Sequence, residues 1–368
     1  MARKILLLAD ADSAHTRRWA LALAERGFGI GIFSLRKSVA GWAKGISNIR
    51  IYDEHALSDD TFHSNVWSKL AYFRMTPKVK NAIAGFKPDV VHAHYATSYG
   101  LLGRKSGFHP LVISAWGSDV MDFPSKGRLM KNMLRKNFAA ADALLATSPT
   151  IVKYMNAITG KKIIITPFGV DTSVFRPLEK ERKREDGKIV IGLVKSLEPV
   201  YNVSVVIDTF GALLRNNPGR KIGLLIVGDG TQRKMLEEKV REMHIGEQVT
   251  FAGKVDHREV PLWHNRIDIF VNISAYESFG VSVLEAMACE VPVIVSDTGG
   301  LSDIVDEGVQ GFRVPVNDIA ATTLAMEKLV TDADLRMRMG KAGRLKVSEK
   351  YEWENNVGEM IDVYNSLL

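Results

Sequence analysis

Short apolar runs recur along this chain, each followed by a polar turn and then by a stretch whose apolar positions fall three and four apart. The runs at 3–9 (RKILLLA), 28–34, 90–93, 111–114, 143–146 and 162–165 lack the alternation of a half-exposed strand. They read as parallel strands covered on both faces. Residues 14–26, closed by Gly27, and the stretch 62–86, where Trp67, Tyr72 and Phe73 mix with lysine and arginine, read as helical. After a charged, proline-bearing stretch the alternation restarts. It predicts strands at 188–194, 222–227, 249–251, 267–273 and 291–295, and helices at 205–215, from the GDG turn to His244, and behind a capping pair Asp256 and Glu259. Residues 318–330, 334–348 and 353–367 carry helical periodicity to the end. This is an α/β chain with two doubly wound parallel sheets, 1–170 and 188–352, and a solvated linker at 171–187. Its 368 residues suffice for two full cores.

The stretch 276–289, YESFGVSVLEAMAC, carries the clearest chemistry. It follows the apolar run 267–273, so it lies at the carboxyl edge of a sheet, where open α/β folds bind ligands. The spacing predicts a tight turn at Gly280 and a helix from about 279–281, capped by Ser278. Glu277 then stands on the loop ahead of the helix and Glu285 a little over one turn inside it. The amides of Phe279, Gly280 and Val281 point into the space between, where a helix start attracts phosphate. A ligand with a hydroxylated ring at each end and phosphates in the middle uses all three features, which describes a sugar nucleotide.

In the first half, the turn after the first strand, DADSAH, has no glycine, which counts against the G-x-G-x-x-G of a dinucleotide site. Ser13 and His15 present short polar groups there, with a capping role for His15 the plainer alternative. His94 and Tyr95 end another strand, and Trp116, Gly117, Ser118 and Asp119 end the next. His92 and His94 form an H-x-H pair without a third metal ligand in view. Residues 126–137 (KGRLMKNMLRKN) set Lys126, Arg128, Lys131, Arg135 and Lys136 against Leu129, Met130, Met133 and Leu134. That pattern is either a packed helix with a solvated face or a membrane-surface segment.

Composition narrows the setting. Hydrophobic content of 46% with 25% charged residues is that of a globular chain, and no run approaches a membrane span. No signal peptide is expected at the start, and the single Cys289 reads as a buried helix residue suited to a reducing cytoplasm. Residues 1–170 hold 24 Lys+Arg against 11 Asp+Glu, a net +13, while the remainder is net −6. Anionic lipid headgroups, a phosphorylated acceptor or nucleic acid could face the basic half. No helix-turn-helix, RRM or KH signature supports nucleic acid.

The residues ESFGVSVLEAMACEVPVIVSDTGG, the IVGDG turn at 226–230, PFGVDTSVFRP at 167–177, SAHTRRWALALAERG and WGSDV together resemble glycosyltransferase family 4, the retaining transferases of GT-B fold. The resemblance covers essentially the whole chain and is strongest at 255–315. It implies two Rossmann-like domains with parallel sheets facing across a cleft, and a last helix (353–368) that returns to the first domain. The first domain would take the acceptor, a glycan or polyprenyl-linked hydroxyl, and the second the nucleotide-sugar donor. Glu277 would contact the transferred sugar and Glu285 the ribose. The amides from Ser278 to Val281, with Gly228, would hold diphosphate and sugar hydroxyls, and Lys254 and Val255 would meet the base. Ser13, His15, His94, Trp116 and Asp119 would face the acceptor. The family carries a cation pair, five apart, for the leaving diphosphate; here Lys195 takes the first role and the second, near Val200, has no cation. Arg104 and Lys254 are the candidate replacements. Trp116 stands where many members have histidine, while Glu290 and Ser302-Asp303 replace a common Gly and Pro-Glu at peripheral positions. No cofactor and no metal are called for, and a cytoplasmic enzyme of cell-surface glycan or glycolipid synthesis, with peripheral contact to an anionic inner membrane face, is implied. A sugar-nucleotide epimerase and a non-catalytic carbohydrate-binding protein are the alternatives.

Overall fold

The computed structural model describes residues 2–53, 71–182 and 187–368, which form two compact units: 1–167 with 355–368, and 168–354. Among the described residues the first unit holds seven strands, β1 (Lys4–Leu8), β2 (Gly29–Phe33), β3 (Ile49–Tyr52), β4 (Val90–His94), β5 (Leu111–Ala115), β6 (Ala143–Ala146) and β7 (Ile163–Ile165). They lie in the order β3-β2-β1-β4-β5-β6-β7, all parallel. Ile5 through Leu8 are fully buried, each worth about 1.5–3 kcal/mol relative to exposure. That is why these strands read as unbroken apolar runs. The helix Ala14–Glu25 ends where Gly27 takes φ +84°, a left-handed value that glycine adopts without a Cβ clash.

The described residues of the second unit form six strands, β8 (Ile189–Val194), β9 (Ile222–Val227), β10 (Val249–Gly253), β11 (Ile269–Asn272), β12 (Val293–Ser296) and β13 (Gly311–Val314). Their order is β10-β9-β8-β11-β12-β13, again parallel throughout. Both sheets are therefore doubly wound, Rossmann-like layers. In each, the order reverses once: between β1 and β4 in the first, and between β8 and β11 in the second. Helices leave in opposite directions from two such strands, which opens a crevice at their carboxyl ends.

Several expectations shift. Residues 171–182, expected as solvated linker, belong to the second unit and, though mostly exposed or half-buried, are tied to it: Leu178 N–H donates to Asn265 Oδ1 (2.7 Å) and Glu181 pairs with Arg266 (2.8 Å). The proline-bearing segment is held by side-chain acceptors and charges that its own composition does not reveal. Residues 183–186 and the 62–70 part of the expected helical stretch lie outside the described residues; beyond them come short helices Ala71–Arg74 and Thr76–Phe86. Asp256 caps a single 3-10 turn, His257–Glu259, accepting from Arg258 N–H, and the helix Val260–Asn265 follows that turn. The last helix, Trp353–Asn365, begins in the second unit and ends in the first. There the Tyr364 hydroxyl lies 2.7 Å from His92 Nδ1.

Candidate active site

In the second unit, Lys195 directly follows β8 and the loop carrying Glu277 follows β11, so the crevice where the strand order reverses brings them together. The Lys195 ammonium forms a short ion pair with Glu277 Oε2, the side chains being 17% and 14% exposed. The ammonium also lies 4.3 Å from the centre of the Tyr201 ring, a cation–π contact. Tyr201 was not among the predicted site residues; its clue was the run GLVKSLEPVYN leaving a strand that borders the reversal. A hollow lined by Lys195, Tyr201 and Asn272 holds only ≈ 10 Å³.

The helix after Glu277 spans Val281–Ala288 and its N-cap is Gly280 at φ 101°. No side chain caps it, because Ser278 stands two residues upstream of the cap position. Its first internal bonds run from Val283 and Leu284 N–H to Gly280 O (3.0 and 3.3 Å), so the amides of 279–282 lie ahead of the ladder. The Ser282 hydroxyl is buried beside them with no partner among the described residues. Glu285, 7% exposed, lies one turn in, its Oε2 3.4 Å from Nε2 of the fully buried His264. Nothing in the sequence marks His264, which reaches Glu285 from the helix Val260–Asn265.

Two glycine turns hold this edge by close backbone approach. A Cβ at Gly228 (φ +138°) would fall 1.8 Å from the Lys195 carbonyl oxygen, and Gly228 N–H donates to Gly253 O (2.8 Å). The Gly228 contact seen here is thus with the backbone that carries Lys195. Lys254 and Val255 follow Gly253 at the adjacent edge, Lys254 exposed. A Cβ at Gly299 would lie 2.1 Å from the Glu277 carbonyl oxygen, and Gly300 N–H donates to that oxygen (2.9 Å). Gly299→Ala adds this clash to a φ of +51°. It is expected to lower stability by about 1–3 kcal/mol, read as a reduced melting temperature; an unchanged melting curve would show that the turn does not constrain the Glu277 loop.

In the first unit, the reversal between β1 and β4 gathers all five residues predicted from its loops. Ser13, His15, His94, Trp116 and Asp119 line one cavity of ≈ 1060 Å³, with Asp10, Arg36 and Tyr95. Their roles differ. Ser13 is the N-cap of helix Ala14–Glu25 by backbone position, without a side-chain cap bond. His15 sits in the first helical turn and meets Trp116 edge-on at 5.8 Å, and Trp116 in turn lies 4.7 Å from His94. Asp119 is 1% exposed and accepts the amides of Ala96 (2.7 Å), Trp116 (3.1 Å) and Gly117 (2.8 Å). Burial pushes its carboxyl up, opposed by those amides. It staples the loops after β4 and β5.

Burial lowers His92 to about 3 and His94 well below the usual imidazole value, the latter helped by His92 and His15. Both rings are therefore uncharged hydrogen-bonding groups near neutral pH. His92 spends both nitrogens on Tyr364 and Ser114 (2.7 Å each), which removes it from any H-x-H metal pair, whereas His94 Nδ1 is buried without a partner among the described residues. Arg104 Nε donates to Asn137 Oδ1 (2.9 Å) within this unit. The basic segment forms the helix Arg128–Ala140, packed through Leu134, Asn137 and Phe138 with its cations exposed.

No helix among the described residues is long and apolar enough to cross a membrane. Residues 175–346 match the family described as Glycosyl transferases group 1, and residues 4–148 match Glycosyl transferase 4-like. The chain is 26% identical over 295 residues to N-acetyl-alpha-D-glucosaminyl L-malate synthase of Bacillus anthracis, covering 76% of this chain and 75% of that protein. Sucrose-phosphate synthase of Thermosynechococcus elongatus superposes with a TM-score of 0.83 over 99% of both chains at 21% identity. Anabaena HepE, solved in complex with UDP, superposes at 0.81 over 100% of both chains at 17% identity. At these identities the superpositions define the fold, which is of the GT-B type.

Proposed function

Because this chain belongs to the group 1, family-4-like glycosyl transferases, we propose that it moves a sugar, with retention at the anomeric carbon, from a nucleoside-diphosphate sugar to a hydroxyl of a glycan or lipid-linked acceptor. The observation that carries this reading is the Lys195–Glu277 pair set beside the amides that open the helix Val281–Ala288. Breaking the bond between the anomeric carbon and the diphosphate leaves positive charge on the sugar and negative charge on the departing phosphate. Lys195 and the amides of 279–281 answer the negative charge, in place before the reaction begins. The Glu277 carboxylate accepts from hydroxyls of the transferred sugar, and Glu285, steadied by His264, accepts from the ribose. The base lies against the backbone of Lys254 and Val255. The acceptor oxygen attacks from the face that the phosphate leaves, within a short-lived ion pair. Its proton passes to the phosphate oxygen freed by the cleavage.

Before the donor arrives, Lys195 and Glu277 neutralise each other, which keeps two half-buried charges from standing unpaired. Donor binding then redistributes them, the ammonium to the diphosphate and the carboxylate to the sugar. A thermal-shift panel of UDP-, GDP- and ADP-sugars tests the reading. A ligand at a hundred times its dissociation constant stabilises the folded state by about 2.7 kcal/mol, so one base series is expected to raise the melting temperature by several degrees. No shift with any of them at millimolar concentration would count against a donor site.

A further inference from the structure

His264 is a fully buried polar side chain with one ring nitrogen engaged and the other idle. Its Nε2 lies 3.4 Å from Glu285 Oε2, while Nδ1 has no partner among the described residues. Two rings flank it, Phe270 at 5.3 Å and Phe175 at 6.1 Å between centroids. A proton on Nδ1 would be a buried donor with nothing to receive it, and would leave Nε2 as an acceptor facing a carboxylate. Hydrogen bonding therefore places the proton on Nε2, which donates to Oε2. The contact is long, as contacts in such sites often are before a ligand arrives.

A carboxylate has two oxygens, and this contact uses one. The terminal torsion of a glutamate is soft, so a carboxyl group without a partner swings about its last bond. With Oε2 held, Oε1 is left for a ligand in a fixed direction. We propose that His264 is the positioning residue by which this site selects a ribonucleotide over one lacking the ribose hydroxyls: it holds Oε2 and so aims Oε1 at the vicinal diol. The proposal rests on the donor reading above, which puts the ribose at Glu285. It adds a determinant from outside the strand–turn–helix unit that carries both glutamates. The backbone beneath the ring is fixed independently. Neighbouring Asn265 donates to the carbonyls of Arg176 (2.9 Å) and Pro261 (2.8 Å) and accepts from Leu178 N–H (2.7 Å). Replacing the His264 ring therefore leaves the helix Val260–Asn265 anchored.

Calorimetric titration of the full chain with UDP, GDP and ADP, each beside its 2′,3′-dideoxy form, tests this. For one base, the parent protein is expected to bind the ribose form about tenfold or more tighter than the dideoxy form, as loss of a hydrogen bond to a charged group implies. His264→Phe, which keeps a ring among the aromatics, should weaken the ribose form alone and shrink that ratio to about threefold or less. His264→Gln, whose amide can still donate, should keep most of the ratio. A purely structural role would weaken both forms together. An unchanged ratio in His264→Phe, or its loss in His264→Gln, therefore overturns the proposal. Ring-nitrogen NMR of the parent with isotopically labelled histidine decides independently if His264→Phe fails to fold, the His264 signal being the one that His264→Gln lacks. A protonated Nε2 and bare Nδ1 are expected, with an Nε2 resonance that moves on binding the ribose form and not the dideoxy form. A proton on Nδ1, or equal movement with both forms, overturns the proposal. Binding without discrimination in the parent overturns it alone, whereas a parent that binds no form of any base overturns the donor reading and this proposal with it.

Discussion

Glu277→Ala is expected to lower sugar transfer about a hundredfold or more while the protein stays folded, a loss of roughly 2.7–4 kcal/mol of transition-state stabilisation. Glu277 lies on a loop whose carbonyl is clamped by Gly300 N–H and by the close approach of Gly299, so the loop backbone is held by contacts that do not depend on the carboxylate's charge. Removing it takes away the acceptor proposed for the sugar hydroxyls and frees Lys195 from its partner. The purified variant should keep a circular-dichroism spectrum like that of the parent. Near-normal turnover in such a protein would remove Glu277 from the site.

Lys195→Ala is expected to be as severe, again about a hundredfold, and to act mainly on kcat, because negative charge on the phosphate grows as the bond breaks. It also leaves the Glu277 carboxylate, 14% exposed, without its counterion, which works against the approach of an anionic donor. If the two side chains act as one unit, the double variant Lys195→Ala, Glu277→Ala is no slower than the worse single change. Steady-state kinetics on the three proteins checks this; strictly multiplicative losses would mean that the pair does not function together. Tyr201, whose ring lies 4.3 Å from the ammonium, contacts Lys195 next to Val200, the position where the family pattern has a second cation.

How much of this was legible in the sequence follows from what each residue depends on. The strands bordering both order reversals, β1, β4, β8 and β11, were readable because strands buried on both faces must be apolar at every position. The edge strands β3 and β13 were not: IRIY and GFRV are short and interrupted by arginine, as solvent-facing edges allow. Glu277 and Glu285 could be placed because both belong to one local strand–turn–helix unit. The same local logic misplaces the cap: the helix begins at Val281, so the cap position falls on Gly280 and Ser278 lies two residues upstream of it.

Contacts between distant segments stayed hidden. Gly299 stands in the sequence only as part of the family motif ending SDTGG, with nothing to mark it as the residue lying under the Glu277 carbonyl, and His264 reaches Glu285 from a separate helix. Asp119 was rightly placed at a strand end, yet only the three amides on its carboxylate show that it positions loops. The five first-unit loop residues converge on one cavity because strand order, and not sequence spacing, decides which loops become neighbours.

A crystal structure of the protein with an intact nucleotide sugar, chosen from the base series that raises its melting temperature, tests the central claim most directly. The expected result has the diphosphate on the amides of 279–281 and the Lys195 ammonium, the sugar hydroxyls on Glu277, and the ribose on Glu285. A well-ordered donor bound elsewhere, with Lys195 and Glu277 still paired to each other, would contradict it.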